Sequence, residues 1–463
     1  MKRGLVFALI GVFGLVVVVV LAMALSGGKK TDTTDNTLTI WSPFDESDVY
    51  KQISEEFLTD NPTVNLVFKY IPSTDAKDYE AKVVDAIAGG GGPDIWLVRT
   101  DWLSKHATKL IPSTKYINLS KSKKNEAEAA QEYFGTNIAN QNLRDGVLYG
   151  FPLAVDSLAL YINTKVVNDT INALSEINST EAEKLSVTPT TWDELVAWSR
   201  LLTKKDARGN IAVAGLSLGT TGNTYAPVDS YLGLLGQYGG SLFTDDQKSA
   251  ALHLSKIIDG KNQTPGLQAL TTFSSFARAG DPNHSWNSSL GDPVTAFVNN
   301  KLAMMLGYST LSKEIQKTKK DFETVKIIPL PQVNDPALTD KRIDSANYWT
   351  HVVSKFSSKP ATAWTYLQTI GGKGSQKYAQ LTGKPSFTQS QDATIKLGSG
   401  DLGETDLFAQ QAAFAPAVFK PDWQTSDEII QDMLNQALQA GQSLQAAVDS
   451  AGERLKALIS TGS

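Results

Sequence analysis

A single carboxylate interrupts an apolar segment at residues 151–167, FPLAVDSLALYINTKVV. Its neighbours Val155, Leu158 and Leu160 form the kind of run that predicts a buried strand. Asp156 inside such a strand is energetically costly unless another group pairs with it. Two interpretations stay open. The carboxylate either makes a structural hydrogen bond to backbone or an arginine, or it binds a ligand at a crossing between two lobes.

Aromatic side chains form a second group of candidates, because several stand at predicted strand ends or in loops. An aromatic plate can cover the apolar face of a pyranose ring while Asp, Asn and Arg side chains bond to its hydroxyl groups. Trp192, Trp198 and Trp364 fall inside amphipathic helices and are interpreted as core. The aromatic candidates for ligand binding are Trp41, Phe44, Trp102, Tyr225, Trp286, Tyr308, Trp349 and Trp423.

One pattern is typical of a serine hydrolase. GLSLG at residues 215–219 matches the Gly-x-Ser-x-Gly turn and follows a predicted strand. That turn needs a helix immediately after the serine, and TTGNTYAP is a poor helix opening. We therefore interpret Ser217 as part of a strand end that leads into a loop.

Carboxylate pairs suggest a different enzyme class. Asp45 with Glu46, or Asp101 with Asp156, could form the paired acids of a glycosidase, which stand roughly 5–10 Å apart. The chain lacks the eightfold strand–helix repeat of the barrel that often carries such pairs. We therefore predict that the protein is not an enzyme, with a carbohydrate-active hydrolase kept as an alternative.

Composition excludes several other classes. The 463 residues are 41% hydrophobic and 20% charged, which is typical of a soluble globular chain long enough for two lobes. A net charge of −5 disfavours nucleic-acid binding, which requires a basic patch. With no cysteine and four histidines, thiol chemistry, disulfides and the common metal sites are disfavoured. We predict no cofactor and no metal.

The N-terminus predicts a membrane location. Residues 4–25 are an unbroken apolar run that, at ~1.5 Å per residue, is long enough to cross a bilayer core of ~30 Å. Lys2 and Arg3 precede it, and a polar tether follows at residues 26–36. A cleaved signal peptide is the alternative. LSGG at 25–28 resembles a lipoprotein site with Gly28 in place of the cysteine, so no lipid can be attached there.

Strand and helix patterns alternate after the tether. Residues 37–41, 64–71 and 95–98 are predicted strands, with a helix after each of the first two; Ser47 is the predicted cap of the first helix. This order predicts a mostly parallel sheet, with helices on both faces. Ligands bind beyond the carboxyl ends of such strands. Asp45 therefore joins Trp41 and Phe44 at one edge, together with Asp101 and Trp102.

The later segments also show helix, strand and turn patterns. Residues 190–203 predict an amphipathic helix, 211–218 a strand, and GGKGS at 371–375 a turn. A strand is predicted at 349–354, and amphipathic helices at 427–440 and 444–459.

Six segments, in this order, resemble extracellular solute-binding proteins of ABC importers, and within them the sugar-binding group that includes maltose-binding protein. They are GGGGPDIWLV (89–98), FPLAVDSLALYINTKVV, PTTWDELVAWSRLL (189–202), DPVTAFVNNKLAMMLGYS (292–309), KIIPLPQ (326–332) and SANYWTHVVSKFSSKPATAWTYLQTI (345–370). By match of motif, the resemblance implies ligand contacts at Asp45, Asp101, Trp102, Asp156 and Tyr308. Trp349 follows from its place after the second crossing, whereas Tyr225, Trp286 and Trp423 follow only from loop position.

The resemblance implies an α/β, two-lobed, type II periplasmic-binding-protein-like fold behind an N-terminal transmembrane helix. The expected first lobe is 37–155 plus about 346–400, and the second is 156–345 plus about 405–463, with a third crossing at 398–406. We expect a single-pass protein of the cell membrane, with its folded part outside. We expect it to capture a sugar or oligosaccharide and to deliver it to ABC permease subunits. A sensing or adhesion protein with the same lobes is a further alternative.

Overall fold

The chain forms two β-sheets, each flanked by helices. This computed structural model describes residues 36–120, 124–335, 338, 341–391, 397 and 403–460. The strands are β1 (Thr37–Ser42), β2 (Asn65–Tyr70), β3 (Ile95–Arg99), β4 (Leu110–Ile111), β5 (Leu143–Arg144), β6 (Val147–Leu148), β7 (Gly150–Phe151), β8 (Ala159–Asn163), β9 (Lys204–Lys205), β10 (Ile211–Leu216), β11 (Lys256–Ile258), β12 (Lys261–Gln263), β13 (Leu302–Gly307), β14 (Val325–Pro329) and β15 (Trp349–Ser354).

The helices cover the faces of the sheets and fill the connections. They are α1 (Ser47–Ile53), α2 (Glu55–Asp60), α3 (Ala76–Ala88), α4 (Leu103–His106), α5 (Glu126–Phe134), α6 (Thr136–Asn142), α7 (Thr164–Ser175), α8 (Ser179–Lys184), α9 (Trp192–Leu202), α10 (Pro227–Gln237), α11 (Pro265–Ser275), α12 (Pro293–Val298), α13 (Thr310–Thr318), α14 (Pro360–Ile370), α15 (Gly372–Thr382), α16 (Glu404–Ala412), α17 (Trp423–Gln436) and α18 (Leu444–Ser460).

The first sheet has the order β2-β1-β3-β15-β4, with β7 also paired to β15. The three strands predicted at its start are confirmed. β1 runs parallel to β2 and β3, but β15 runs antiparallel to β3, β4 and β7. Five of the six described strands run in one direction, as expected of a mostly parallel sheet, but β15 runs against them, so the sheet is mixed. The reason is topological, since β15 enters from the second lobe at the edge where β3 ends.

The second sheet has the order β14-β8-β13-β10-β9 and is also mixed. Only β10 and β13 pair in parallel, while β8 is antiparallel to both of its neighbours. All five residues of β8 are buried, but β8 covers only part of the strand predicted at 151–167: Asp156 precedes it in irregular chain, and Thr164 begins α7. Helices α17 and α18 pack their apolar faces into the same core as β8 and α10, so the end of the chain covers this second sheet.

Two local predictions at helix starts are corrected. Ser47 is the first helical residue of α1, behind Glu46 at the cap position, and neither makes a side-chain cap. Only Gly371 of the segment GGKGS lies in a turn, because α15 begins at Gly372. A Cβ on Gly371 would stand 2.7 Å from the Tyr133 hydroxyl and 2.8 Å from the Phe151 ring. A glycine is present at 371 because helix and sheet approach closely there.

Three segments of the chain, called passages below, lie side by side between the sheets near residues 155–158, 345 and 385. The N–H of Val155 donates to the carbonyl of Pro385 at 2.9 Å, and the N–H of Leu158 donates to that of Ser345 at 2.9 Å. Helix α16 then contributes Phe408 to the core of the second sheet and Ala412 to that of the first. Most of the predicted third crossing, residues 398–402, lies outside the described residues, and the predicted domain boundaries stay a prediction.

The predicted membrane segment at residues 4–25 and the tether up to residue 35 also lie outside the described residues. Within the part of the chain that the structure describes, no helix has the length and apolar character needed to cross a bilayer.

Candidate functional site

A cavity of about 360 Å³ lies between the two sheets, beside the chain passages. Its wall comes from both lobes: Phe44 follows β1, Arg99 ends β3, and Tyr308 follows β13. Asp156 lies on the first passage and Trp349 begins β15. The carboxyl ends of β1 and β3 therefore meet at this cavity, as the rule for open α/β sheets predicts.

Aromatic rings form much of the wall. They are Phe44, Tyr308, Tyr348, Trp349 and Tyr378. The rings of Phe44 and Trp349 meet edge to face, with centroids 5.6 Å apart. Trp349 is held from behind by Tyr79 and Trp102, at centroid distances of 5.6 and 5.2 Å. Since packing fixes the ring, it is a rigid plate against which a ligand can lie.

Polar groups complete the wall, namely Arg99, Asp156, Thr310, Glu314, Asn347, His351 and Lys384. Asp156 accepts hydrogen bonds from the backbone N–H of Ser309 (3.0 Å), the Ser309 hydroxyl (2.7 Å) and the backbone N–H of Ser157 (2.9 Å). Burial nevertheless raises the pKa of Asp156 to about 7, because loss of water outweighs these bonds. The Asp156 carboxyl group therefore makes structural hydrogen bonds and also lines the cavity. These correspond to the two interpretations that the sequence left open.

A second polar cluster in the wall joins Lys384 to residues far away in the sequence. Its ammonium lies 2.7 Å from Glu46 and 3.0 Å from the Tyr378 hydroxyl, and 3.7 Å from the centre of the Phe44 ring. Burial lowers the pKa of Lys384, and the charge of Glu46 opposes this shift. Sequence reasoning missed Lys384, and no local signal could have found it, since Glu46 is 338 positions away.

Arg99 lines the cavity and is the first member of a series of ion pairs that connects the two lobes. Its guanidinium lies 3.4 Å from Asp101 and 3.7 Å from Asp229. Lys420 then bridges Asp101 at 2.9 Å and Asp427 at 2.6 Å. Burial alone would raise the pKa of Asp101, but the charges of Lys420 and Arg99 outweigh it and lower the pKa to about 2.

The sequence-predicted site residues divide into two groups. Phe44, Asp156, Tyr308 and Trp349 line the cavity. Tyr225 lies next to it, with its hydroxyl 3.3 Å from that of Thr310.

The other predicted residues lie elsewhere. Asp45 is exposed, and Trp41 lies under the ammonium of Lys69 at 4.3 Å. Asp101 is held in the ion cluster, and Trp286 is fully buried, with its indole N–H donating to Asn223 at 3.0 Å. The remaining two tryptophans pack against each other between the lobes.

That pair is Trp102 and Trp423, whose rings stack with centroids 5.2 Å apart and planes 16° from parallel. Trp423 is the first residue of α17 rather than a loop residue, because Asp422 caps that helix by accepting from the N–H of Thr425 at 2.9 Å. Its indole N–H donates to Glu80 of α3 at 3.0 Å. The pair therefore joins a helix of each lobe.

The Gly-x-Ser-x-Gly segment does not form a nucleophile turn. Ser217 is buried and is followed by a loop, and the next helix, α10, starts only at Pro227. Within the described residues, its hydroxyl makes no hydrogen bond, and no cluster of three His, Asp or Glu side chains has a geometry for a metal.

Residues 42–377 match the family model described as bacterial extracellular solute-binding protein. The chain belongs to this family. A search of solved structures finds the same two-lobed fold in the cyclic alpha-maltosyl-1,6-maltose binding protein from Arthrobacter globiformis. The TM-score is 0.68 at 17% identity, covering 92% of this chain and 99% of that one.

Two named relatives add detail. The maltotriose-binding protein of Pyrococcus abyssi is 28% identical over 155 residues, which are 32% of this chain and 31% of that protein. The match thus spans about a third of that relative. A protein of Brucella abortus, named only as a binding protein, is 22% identical over 411 residues, or 84% of each chain.

Proposed function

We propose that this solute-binding protein captures a sugar or short oligosaccharide between its lobes and delivers it to an ABC permease. The observation that carries the proposal is the cavity, where rigid aromatic plates stand next to groups that accept or donate hydrogen bonds. This is the combination that a sugar ring requires, since it has an apolar face and a polar rim. The names of the Pyrococcus and Arthrobacter proteins support the same ligand class.

We assign the ligand contacts to Phe44, Asp156, Tyr308 and Trp349. The aromatic members cover the apolar face of a ring, whereas Asp156 accepts a hydrogen bond when ionised and can also donate one when protonated. No bond in the ligand is broken, so binding is followed by closure of the lobes and recognition of the closed form by the permease.

Calorimetric titration of the purified full-length chain with glucose, galactose, maltose and maltotriose tests this function. A detergent with a polyoxyethylene head group is required, because alkyl maltosides present a competing sugar. We expect saturable binding that leaves the sugar intact, and a thermal shift; binding at ~100 Kd adds about 2.7 kcal/mol of stability. Release of product would instead indicate the hydrolase alternative. Absence of binding to a broad set of sugars would contradict the proposed ligand class.

We further propose that residues 4–25 anchor the folded part to the outer face of the cytoplasmic membrane. A protein that captures solutes for import must bind them on the outer side of the cytoplasmic membrane. The apolar run is long enough to span the bilayer. Protease added to intact cells should digest the folded part, and washing with salt should not release it. Digestion only after lysis, or a mature chain that starts near Leu25, would contradict the anchor.

A further inference from the structure

The cleft between the lobes continues past the sugar cavity but narrows sharply. The 360 Å³ cavity and a second cavity of about 20 Å³ share Asn347 in their walls. The second cavity has room for about one water molecule and not for a sugar ring. The side chains that separate the two cavities therefore limit how far a ligand can extend from the larger cavity toward the smaller one.

Asp229 of α10 stands at the division. Tyr308, from the wall of the large cavity, donates its hydroxyl to the Asp229 carboxylate at 2.8 Å. Arg99, from the same wall but the other lobe, places its guanidinium 3.7 Å from that carboxylate oxygen. Asp229 itself lines the small cavity. These three side chains meet across the cleft from both of its sides.

Further groups keep this division in place. The side-chain carbonyl of Asn347 accepts from Arg99 at 3.3 Å, and its amide donates to Asp101 at 3.0 Å. The side chain of Lys420, only 1% exposed, fills the space behind Asp101. Moving Asp229 would take a carboxylate partner from both Arg99 and Tyr308, so the division resists displacement by a neutral sugar hydroxyl.

We propose that Asp229, held by Arg99 and Tyr308, is a partition that limits the ligand to about one or two sugar rings. This proposal rests on the proposed function and names the size of its ligand. The 360 Å³ cavity lies at the lower end of the ~300–1,000 Å³ range of small-molecule sites. A third ring that extends past Asn347 toward the second cavity would have to occupy the volume that Asp229 and Lys420 fill. Asp229 is accordingly a specificity-determining residue and does not need to contact the bound ligand itself.

The test compares glucose, maltose, maltotriose and maltotetraose, titrated into the full-length wild-type chain and into two variants. Asp229→Ala removes the partition, whereas Asp229→Asn keeps its volume and serves as the matched control. We expect wild type and Asp229→Asn to bind maltose more tightly than maltotetraose by about tenfold or more, because forcing extra volume into packed space is costly. Asp229→Ala should bring the two affinities close together. Equal affinities for the two sugars in wild type would overturn the proposal.

A crystal structure of the wild-type protein with its lobes in the closed arrangement tests the partition without any sugar, and so separates it from the proposed function. Arg99 and Asp229 in contact, with the two cavities separate, would support it. A continuous cleft at this point would overturn it even if sugars bind. Conversely, failure of all four sugars to bind, with the division intact, would count against the proposed function alone. Thermal unfolding of both variants shows whether a change in binding reflects loss of the fold.

Discussion

Ser309 donates two hydrogen bonds to the Asp156 carboxylate, one from its backbone N–H at 3.0 Å and one from its hydroxyl at 2.7 Å. Each of the two oxygens accepts one of them. Asp156 lies on the chain passage that leaves the first lobe, and Ser309 follows β13 of the second sheet. The same carboxylate lines the 360 Å³ cavity. Under the proposed function, ligand binding and the relative position of the lobes are therefore connected through one side chain.

Asp156→Asn should change how stability depends on pH. Burial raises the pKa of Asp156 from 3.8 to about 7, so between these values the folded state holds a proton that the unfolded state has lost. The contribution of this bound proton to folding stability is complete below about pH 4 and is lost as the pH rises through about 7. In urea unfolding, wild type should therefore lose stability relative to Asp156→Asn as the pH rises from about 4 to 7, by at most about 1.4 kcal/mol for each pH unit. The exposed Asp45→Asn is the control. A wild-type-to-variant difference that is independent of pH would contradict the raised pKa.

Trp349→Ala should weaken sugar binding, whereas Trp41→Ala should leave it unchanged. Both were candidates from the sequence, but Trp349 lines the cavity and Trp41 lies under Lys69. An aromatic contact contributes roughly 0.5–1.5 kcal/mol, so the loss should be about threefold to tenfold. Calorimetric titration gives the affinities, and thermal unfolding shows how much of each variant is folded. Equal losses in the two variants would count against this assignment of the contact.

Lys420→Met should strongly destabilise the fold. The ammonium is buried between Asp101 and Asp427, and removing it leaves two buried carboxylates without their shared partner. Breaking a buried ion pair in this way costs about 3–5 kcal/mol. Arg454→Met breaks an exposed pair with Asp432 and should cost at most about 1 kcal/mol. Urea unfolding measures both, and similar small losses would show that the cluster contributes little.

Trp423→Ala should favour the open arrangement of the lobes. The ring stacks on Trp102 and donates to Glu80, so its loss removes contacts that exist only while the lobes are close. We expect a larger radius of gyration in the ligand-free protein by X-ray scattering, and weaker binding. Glu428→Ala removes an exposed pair with Lys77 at 3.9 Å and should leave the scattering unchanged. Identical curves for wild type and Trp423→Ala would rule out this role.

Ser217→Ala should leave sugar binding unchanged and should not destabilise the protein. Its hydroxyl is buried and, within the described residues, makes no hydrogen bond, so removing it relieves a desolvated polar group. Binding titration and thermal unfolding check both parts. Loss of a hydrolytic activity in this variant would instead revive the serine-hydrolase interpretation.

The regular elements could be predicted because each depends on nearby residues. β3, β8 and β15 were recognisable from their apolar runs, and α9 from its amphipathic spacing. One error arose where a distant contact decides the outcome, because Gly371 lies close to Tyr133 and Phe151. Another was local: Asp422 caps α17, so the helix begins at Trp423, four residues before the predicted start.

The sequence by itself determined the strand and helix pattern, the family resemblance and the position of Asp156 at a passage between lobes. Only the tertiary structure decided which aromatic residues face the cavity. Trp102 follows β3 and Trp349 begins β15 at the same edge of the sheet, yet only Trp349 lines the cavity. Glu314 and Lys384 also entered the wall only when the chain was folded. Periodicity is a property of neighbours along the chain, whereas a cavity wall is built from residues that packing brings together from hundreds of positions apart.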